Sequence, residues 1–284
     1  MKWTTSRFDI DLSTPLVMGI VNVTPDSFSD GGRFEGVKNA LAHAEQLIQD
    51  GADILDFGGE STRPGSPAVS LQEELLRLLP VVKEAVKLGV PISVDTYKAQ
   101  VMREVLDMGV DIINDVWALR QDGARQVVAA HPNCGVCLMH MHMTPQSMHQ
   151  NHMQGDAVPE VLGFLREQMK LLMQAGVSMS RLVVDPGVGF GKSVTQNFSL
   201  LARQKEFAAL DLPVLAGWSR KGSLGAVTGL PVEQRVLPSV VAAVLAVERG
   251  AKIVRVHDVA ETKAGLKVWA AMHEQDSLSE AVLR

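Results

Sequence analysis

Cysteine, tyrosine and an excess of basic residues are all scarce in this chain. Two cysteines in 284 residues exclude a disulfide scaffold. One tyrosine, Tyr97, and 5% aromatics leave too few rings for a base-stacking platform. Lys and Arg number 27 against 32 Asp and Glu, a net charge of −5, so no global positive field draws the chain to nucleic acid or anionic lipid. No apolar run reaches the ~20 residues of a membrane span. The longest, Val236 to Val247, is cut by Pro238 and Ser239. The polar start, Met1 to Arg7, has no apolar core of a secretion signal. A soluble cytoplasmic protein is therefore expected. Disorder is excluded as well, because hydrophobic residues make up 46% and charged residues 21%.

What the chain does have is glycine, 24 in all, and its placement repeats. Gly51, Gly89, Gly109, Gly176 and Gly250 each end a helical stretch, and an apolar strand follows within a few residues. Glycine closes a helix by taking the left-handed conformation. Strands this apolar are covered on both faces. The intervening segments carry helical periodicity, as in Val37, Ala40, Leu41, Ala44, Leu47 and Ile48, or Leu71, Leu75, Leu78, Val82 and Ala85. Eight strands are expected at residues 16–22, 52–58, 91–96, 111–117, 135–141, 182–187, 213–218 and 252–257. The helices after the fourth and seventh are the least distinct. Strict alternation over this length predicts an α/β fold, a (β/α)₈ TIM barrel forming a single domain over residues 1–284. An open dinucleotide-binding sheet would carry a Gly-rich loop after its first strand, and Asn22-Val23-Thr24-Pro25-Asp26 is not one.

Active sites of such barrels lie at the C-terminal ends of the strands. Here those ends read Asn22, Asp56, Asp95, Asn114 with Asp115, His140, Asp185, Ser219 with Lys221, and Arg255 with His257. A single Asp after a strand is more often a turn or cap residue. Eight polar exits converging on one mouth point to a site. Arg255, His257 and Asn22 suit an anion such as a phosphate. Asp95, Asn114, Asp185 and Lys221 suit a flat, neutral, hydrogen-bonding heterocycle. Two Gly-rich loops, residues 24–36 and 58–66, read as lids. Arg63 on the second reads equally as an anion clamp or a solvated arginine. Cys134 and Cys137 read as reduced and structural. His140, His142, His149 and His152 read as a loop rather than a soft-metal site. A Schiff-base role for Lys221 is weakened by its place after the strand. Residues 187–192 lack the spacing of a P-loop.

The segments Met18–Gly32 and Gly51–Gly65 are similar to the two signatures of the dihydropteroate synthase family. The resemblance continues through Ser93-Val94-Asp95-Thr96, Asn114-Asp115, Met139-His140, Asp185-Pro186-Gly187, Ser219-Arg220-Lys221 and Arg255-Val256-His257. It runs in family order from about residue 15 to 270. It implies a cytoplasmic homodimer in folate biosynthesis that joins 6-hydroxymethyl-7,8-dihydropterin diphosphate to 4-aminobenzoate. It implies that Asp95, Asn114, Asp185 and Lys221 hold the pterin between Met139 and Phe190. Asn22, Arg63, Arg255 and His257 would meet the diphosphate, with Asn22 on its Mg²⁺. Phe28, Thr62, Arg63, Pro64 and Ser219 would surround the aminobenzoate, making the chain a sulfonamide target. Asp95, Lys221, Arg255 and His257 would carry the chemistry. Gly222, where the family commonly has Ser, and Pro238-Ser239, where it has Gly-Ser or Gly-Thr, depart from the pattern. The second predicts a changed start to the last major helix. Two competing readings are a pterin-binding methyl transferase acting on a corrinoid and a catalytically silent pterin-binding paralogue. The Arg63 loop and the Arg255/His257 pair argue against both.

Overall fold

The computed structural model describes residues 1–23, 32–61, 68–144, 147–148 and 152–282. A short antiparallel hairpin, β1 (Lys2–Thr4) and β2 (Asp9–Asp11), precedes the main sheet. The eight expected strands follow as β3 (Leu16–Asn22), β4 (Ile54–Gly58), β5 (Ile92–Asp95), β6 (Ile112–Asp115), β7 (Gly135–Met139), β8 (Leu182–Asp185), β9 (Val214–Ala216) and β10 (Ala251–Val256). They form a closed parallel barrel in chain order, with β10 pairing β3. The first two end where the apolar pattern predicts, and the other six end one or two residues earlier, because the residues after them turn into loops.

The helices between strands are α1 (Gly32–Gln49), α2 (Leu71–Ala85), α3 (Ala99–Asp107), α4 (Ala124–Ala130), α5 (Ala157–Gln174), α6 (Val194–Ala202), α7 (Gly222–Thr228), α8 (Val236–Glu248) and α9 (Val259–Val282). The fourth and seventh are the shortest, as their weak periodicity implied. The loop expected over residues 24–36 stops sooner, since α1 already begins at Gly32. All five helix-ending glycines take positive φ, from 76° to 101°. No helix among the described residues is long and apolar enough to cross a membrane.

The hairpin is absent from the sequence reading. It plugs the N-terminal end of the barrel. Trp3, Ile10 and Leu12 are buried against the inward residues Met18, Ile54, Cys137 and Ile253. The Trp3 indole donates to the Arg181 carbonyl at 2.8 Å. Arg7 pairs with buried Asp111 at 2.5 Å, and Asp111 also accepts the Ile92 N–H at 2.9 Å. Cys134 and Cys137 are both buried thiols, and burial pushes the Cys137 thiol well above its ordinary pKa. Neither is a nucleophile at neutral pH.

Candidate active site

Side chains alternate along each strand, so the parity that sends Ile54, Ile112, Val183 and Ile253 inward at the base also sends Asp56, Asn114, Asp185 and Arg255 inward nearer the mouth. Above them opens a cavity of about 610 Å³. Asn22, Asp95, Asn114, Met139, Asp185, Phe190, Ser219, Lys221, Arg255 and His257 all line it. Ten site residues expected from sequence are thus brought together. Phe28, Thr62, Arg63 and Pro64 lie outside the described residues.

The floor is an ion cluster. Arg255 donates from Nε to Asp56 Oδ2 at 2.6 Å and from Nη2 to Asp95 Oδ2 at 2.8 Å. Asn114 Nδ2 donates to the same Asp56 oxygen at 3.0 Å. Asp56 is fully buried. Burial pushes the Asp95 carboxyl up to about 7, with Arg255 pulling the other way and Asp56 adding repulsion. Burial opposes the charge on Arg255, yet Asp56 and Asp95 hold its pKa above the ordinary value. Asp185 is also raised by burial, although the Gly187 N–H at 2.7 Å and Lys221 favour its ionised form. Burial lowers Lys221 to about 8. Its ammonium stands 4.1 Å from the centre of the Phe190 ring, a cation–π distance. Asp56, Asp95 and Asp185 offset Arg255, Lys221 and buried Lys192, so the described part of the mouth is balanced in charge.

Two turns aim the remaining groups. Ser219-Arg220-Lys221 follows β9 with Arg220 at φ 57°, a left-handed conformation that costs a non-glycine residue about 1–2 kcal/mol. Several contacts hold it there. The Arg220 guanidinium grips Asp258 at 2.5 and 3.1 Å, and the Arg220 backbone N–H donates to Ser239 Oγ at 2.8 Å. The twist delivers Ser219 and Lys221 to the cavity on either side of Arg220. Ser219 Oγ accepts the His257 N–H at 3.1 Å and lies 2.9 Å from His257 Nδ1. A hydroxyl that also donates to Nδ1 leaves the ring proton on Nε2.

The second turn is the glycine loop after β8. Gly187 has φ 72°, and a Cβ there would lie 1.9 Å from the His140 carbonyl oxygen. Only glycine fits. Buried Lys192 closes the loop by donating to the carbonyls of Gly187, His140 and Phe190 at 2.7, 3.1 and 3.2 Å. Its side chain thus does the work of a staple, not of a phosphate ligand. Phe190 packs with Met139, Met141, Met148 and Val116 into an apolar wall.

Two strand-end residues read as converging on the mouth do not reach it. Asp115 is fully buried and accepts the Trp117 and Leu119 N–H groups at 2.6 and 2.8 Å, which makes it the cap of a tight loop. His140 packs edge-on to Phe164, with ring centres 4.9 Å apart, and burial depresses it to about 2. Both sit one residue past an inward position and so face away. Asp56, expected only as one of the strand-end polar groups, proves to be the partner of Arg255, and Glu60, Lys192 and Arg220 carry contacts that the sequence does not assign. Strand parity signals Asp56. Nothing local signals the others. A Cβ on Gly222 would meet nothing within 4 Å. Pro238 sits in the first turn of α8, where an N–H has no helical partner to lose. At the start of α8, Ser239 Oγ donates to the Arg235 carbonyl at 2.5 Å.

A closed parallel barrel whose mouth gathers carboxylates, an amide and an ammonium beside an apolar wall is an enzyme of the (β/α)₈ class, shaped for a small hydrogen-bonding ring. The sequence profile described as pterin binding enzyme matches residues 18–257. The chain belongs to that family. Dihydropteroate synthase of Haemophilus influenzae is 47% identical over 95% of this chain and 98% of its own length. That of Escherichia coli K12 is 46% identical over 94% and 95%. The crystal structure of Burkholderia cenocepacia dihydropteroate synthase complexed with 7,8-dihydropteroate superposes with a TM-score of 0.89 at 47% identity, covering 98% of each chain. Yersinia pestis dihydropteroate synthase with a sulfonamide drug complex gives 0.90 at 42% identity, covering 96% of this chain and 100% of that one.

Proposed function

We propose that the chain condenses 6-hydroxymethyl-7,8-dihydropterin diphosphate with 4-aminobenzoate, giving 7,8-dihydropteroate and pyrophosphate. The observation that carries this is the convergence of Asp95, Asn114, Asp185 and Lys221 on one cavity, in a chain nearly half identical to dihydropteroate synthases over their whole length. A carboxylate such as Asp185 accepts two bonds from a ring N–H/NH₂ edge, as it would from a guanidinium. Lys221 donates to ring acceptors, and Met139 and Phe190 cover the faces. Asn22, Arg255 and His257 take the diphosphate. Phe28, Thr62, Arg63, Pro64 and Ser219 take the aminobenzoate, and sulfonamides compete with it there.

The bond from the pterin methylene to diphosphate oxygen breaks first. The electron-rich ring shares the positive charge that develops, and ionised Asp95 stabilises it. The aminobenzoate nitrogen then attacks, and its proton passes to solvent. Its amine is already nucleophilic, so no strong base is required. Water must be kept out while the cation exists.

Mg²⁺ fits as an ion carried by the diphosphate. Among the described residues no group of three His, Cys, Asp or Glu could hold a metal. Mg²⁺ commonly keeps its waters and binds through substrate phosphates plus one or two protein oxygens, here the Asn22 amide. When bound it neutralises charge on the leaving group.

Two copies of the chain are proposed to associate through α8 and α9. Leu237, Val241 and Leu245 form an exposed stripe at i, i+4, i+8, with exposed Val268 and Met272 on α9. Light scattering should give twice the chain mass, and Val241→Glu should halve it. A monomeric wild type refutes this.

Pyrophosphate release that needs both substrates and Mg²⁺ is the decisive assay. Folded protein that binds pterin but forms no dihydropteroate would sink the reading. His257 separates the two halves better than Arg255, which is tied to Asp56 and Asp95. His257→Ala should weaken the pterin diphosphate far more than the bare pterin.

A further inference from the structure

The connection from β4 to α2 has both of its ends tied to one lysine of the next βα unit. Lys98 follows β5 and precedes α3. Its ammonium forms ion pairs with Glu60, two residues past β4, and with Glu74, in the first turn of α2. Glu74 is buried, and Lys98 and Glu60 are each 11% exposed in their side chains, so these pairs are shielded from water. Each carboxylate has further partners. Thr96 Oγ1 donates to Glu74 at 2.7 Å. Tyr97 Oη and the Val69 N–H reach the other Glu60 oxygen at 3.3 and 3.4 Å. Arg77 of α2 donates to the Gly59 carbonyl at 2.8 Å. The chain therefore leaves the barrel at Gly59-Glu60 and returns at Val69 through a base fixed from four directions. Glu60 and Ser61 also line the cavity, whereas Lys98 does not.

We infer that Lys98 is a positioning residue for the aminobenzoate half of the site, acting through the Glu60–Lys98–Glu74 clamp at the base of the β4–α2 connection. This rests on the function proposed above, in which Thr62, Arg63 and Pro64 of that connection meet aminobenzoate. No hydrogen bond or ion pair joins the clamp to the pterin groups Asp95, Asn114, Asp185 and Lys221, and Glu74 reaches Asp95 only through charge repulsion. It fixes where the connection leaves and rejoins the barrel, and hence where residues next in sequence to Glu60 are delivered. A second substrate held by that connection is sensitive to a displacement at its base, whereas a ring bound on the barrel floor is not. Lysine is suited to the role because one ammonium can serve two carboxylates on different elements.

The test compares wild type with Lys98→Met/Glu74→Gln, Lys98→Met and Lys98→Arg. The single Met variant leaves buried Glu74 without a counter-charge and stands to unfold. The double variant removes that charge too, and its Gln can still accept from Thr96. In the double variant KM for aminobenzoate should rise by about tenfold or more. Its affinity for 6-hydroxymethyl-7,8-dihydropterin, measured by calorimetry, should stay within about twofold of wild type. Lys98→Arg should restore most of the KM. An unchanged aminobenzoate KM in the folded double variant overturns the inference. So does an equal loss of pterin affinity, which marks a general structural role. Hydrogen exchange at the Val69 amide needs no turnover and should speed up in the double variant. If wild type forms no dihydropteroate, the proposed function fails on its own. The exchange result then stands apart, and unchanged exchange overturns the clamp.

Discussion

Replacing Asp56 by Asn removes one negative charge from the barrel interior without changing its shape. Both hydrogen bonds that Asp56 receives fall on the same oxygen, from Arg255 Nε at 2.6 Å and Asn114 Nδ2 at 3.0 Å. An amide oxygen in that place accepts both, so the Arg255 contact loses its ionic part, while the amide NH₂ replaces Oδ1, a buried atom with no partner, and adds the cost of an unpaired donor, about 1–3 kcal/mol. Hydrogen bonds between charged groups are roughly twice as strong as neutral ones, which puts the ionic part at about 1–2 kcal/mol. For a chain of this size the two losses together correspond to a fall in Tm of roughly 4–20 °C.

The pH dependence of that loss is the sharper test. Asp95 is raised from 3.8 to about 7, so its contribution to stability is present below about pH 4 and is lost as pH rises through about 7. Asp56 is one cause of the rise. In Asp56→Asn the Asp95 pKa moves down, and less stability is lost between pH 4 and 7. The variant is therefore most destabilised relative to wild type at pH 5 and less so at pH 8. Calorimetric Tm values at both pH values, with carbon NMR titration of the Asp95 carboxyl, measure this. A deficit that is equal at both, or larger at pH 8, would show that the two carboxylates do not sense each other.

Three further outcomes follow from contacts described above. Gly187→Ala places a methyl 1.9 Å from the His140 carbonyl at positive φ, and should cost about 3 kcal/mol or more in a urea titration. Lys192→Met strips the shared donor from three carbonyls and should cost about 2–5 kcal/mol. Burial lowers the Lys192 ammonium from 10.5 to about 7. Its stabilising contribution is therefore greatest above pH 10.5 and is lost as pH falls towards 7, so urea midpoints of this variant should vary less over that window than those of wild type. Trp3→Phe keeps most of the ring but orphans the Arg181 carbonyl, for a loss of about 2 kcal/mol with turnover unchanged. A fall in kcat without a fall in stability would contradict the separation of the plug from the mouth.

The barrel was legible because its signals are local and repeated. A glycine at each helix end and a doubly covered apolar run after it can be read without knowing any contact. The hairpin carried no such signal. Each of its strands is three residues long and buries only one central side chain, Trp3 or Ile10, which is too short for a period of two to emerge. The site was legible as a set of strand ends but not as a set of faces. Asn114 and Asp115 are neighbours, and so are Met139 and His140, yet one of each pair enters the cavity and the other supports a loop. Parity along the strand decides between them, and it becomes usable only once an inward residue is fixed. The charge balance was hidden for a different reason. Arg255 was visible as a cation, but its partners Asp56 and Asp95 lie on strands far away in sequence. Lys192 and Arg220 were out of reach because their roles depend on carbonyls and a backbone twist that side-chain identity does not encode.

The seam between β3 and β10 bears on how this protein is made. Asp56 and Arg255 are 199 residues apart in sequence yet share a 2.6 Å ion pair. Asn22 stands at the end of the first barrel strand, and Arg255 and His257 come with the last. A nascent chain emerging from the ribosome thus holds Asp56 and Asp95 without their counter-charge until β10 has been synthesised. Closing so long a loop is slow, and strand edges stay exposed meanwhile. On the proposed assignment of Asn22, Arg255 and His257 to the diphosphate, affinity for it arises only after the final strand has docked. Ligand binding therefore reports completion of the barrel, and a fragment ending before residue 251 should neither bind nor be protected by substrate.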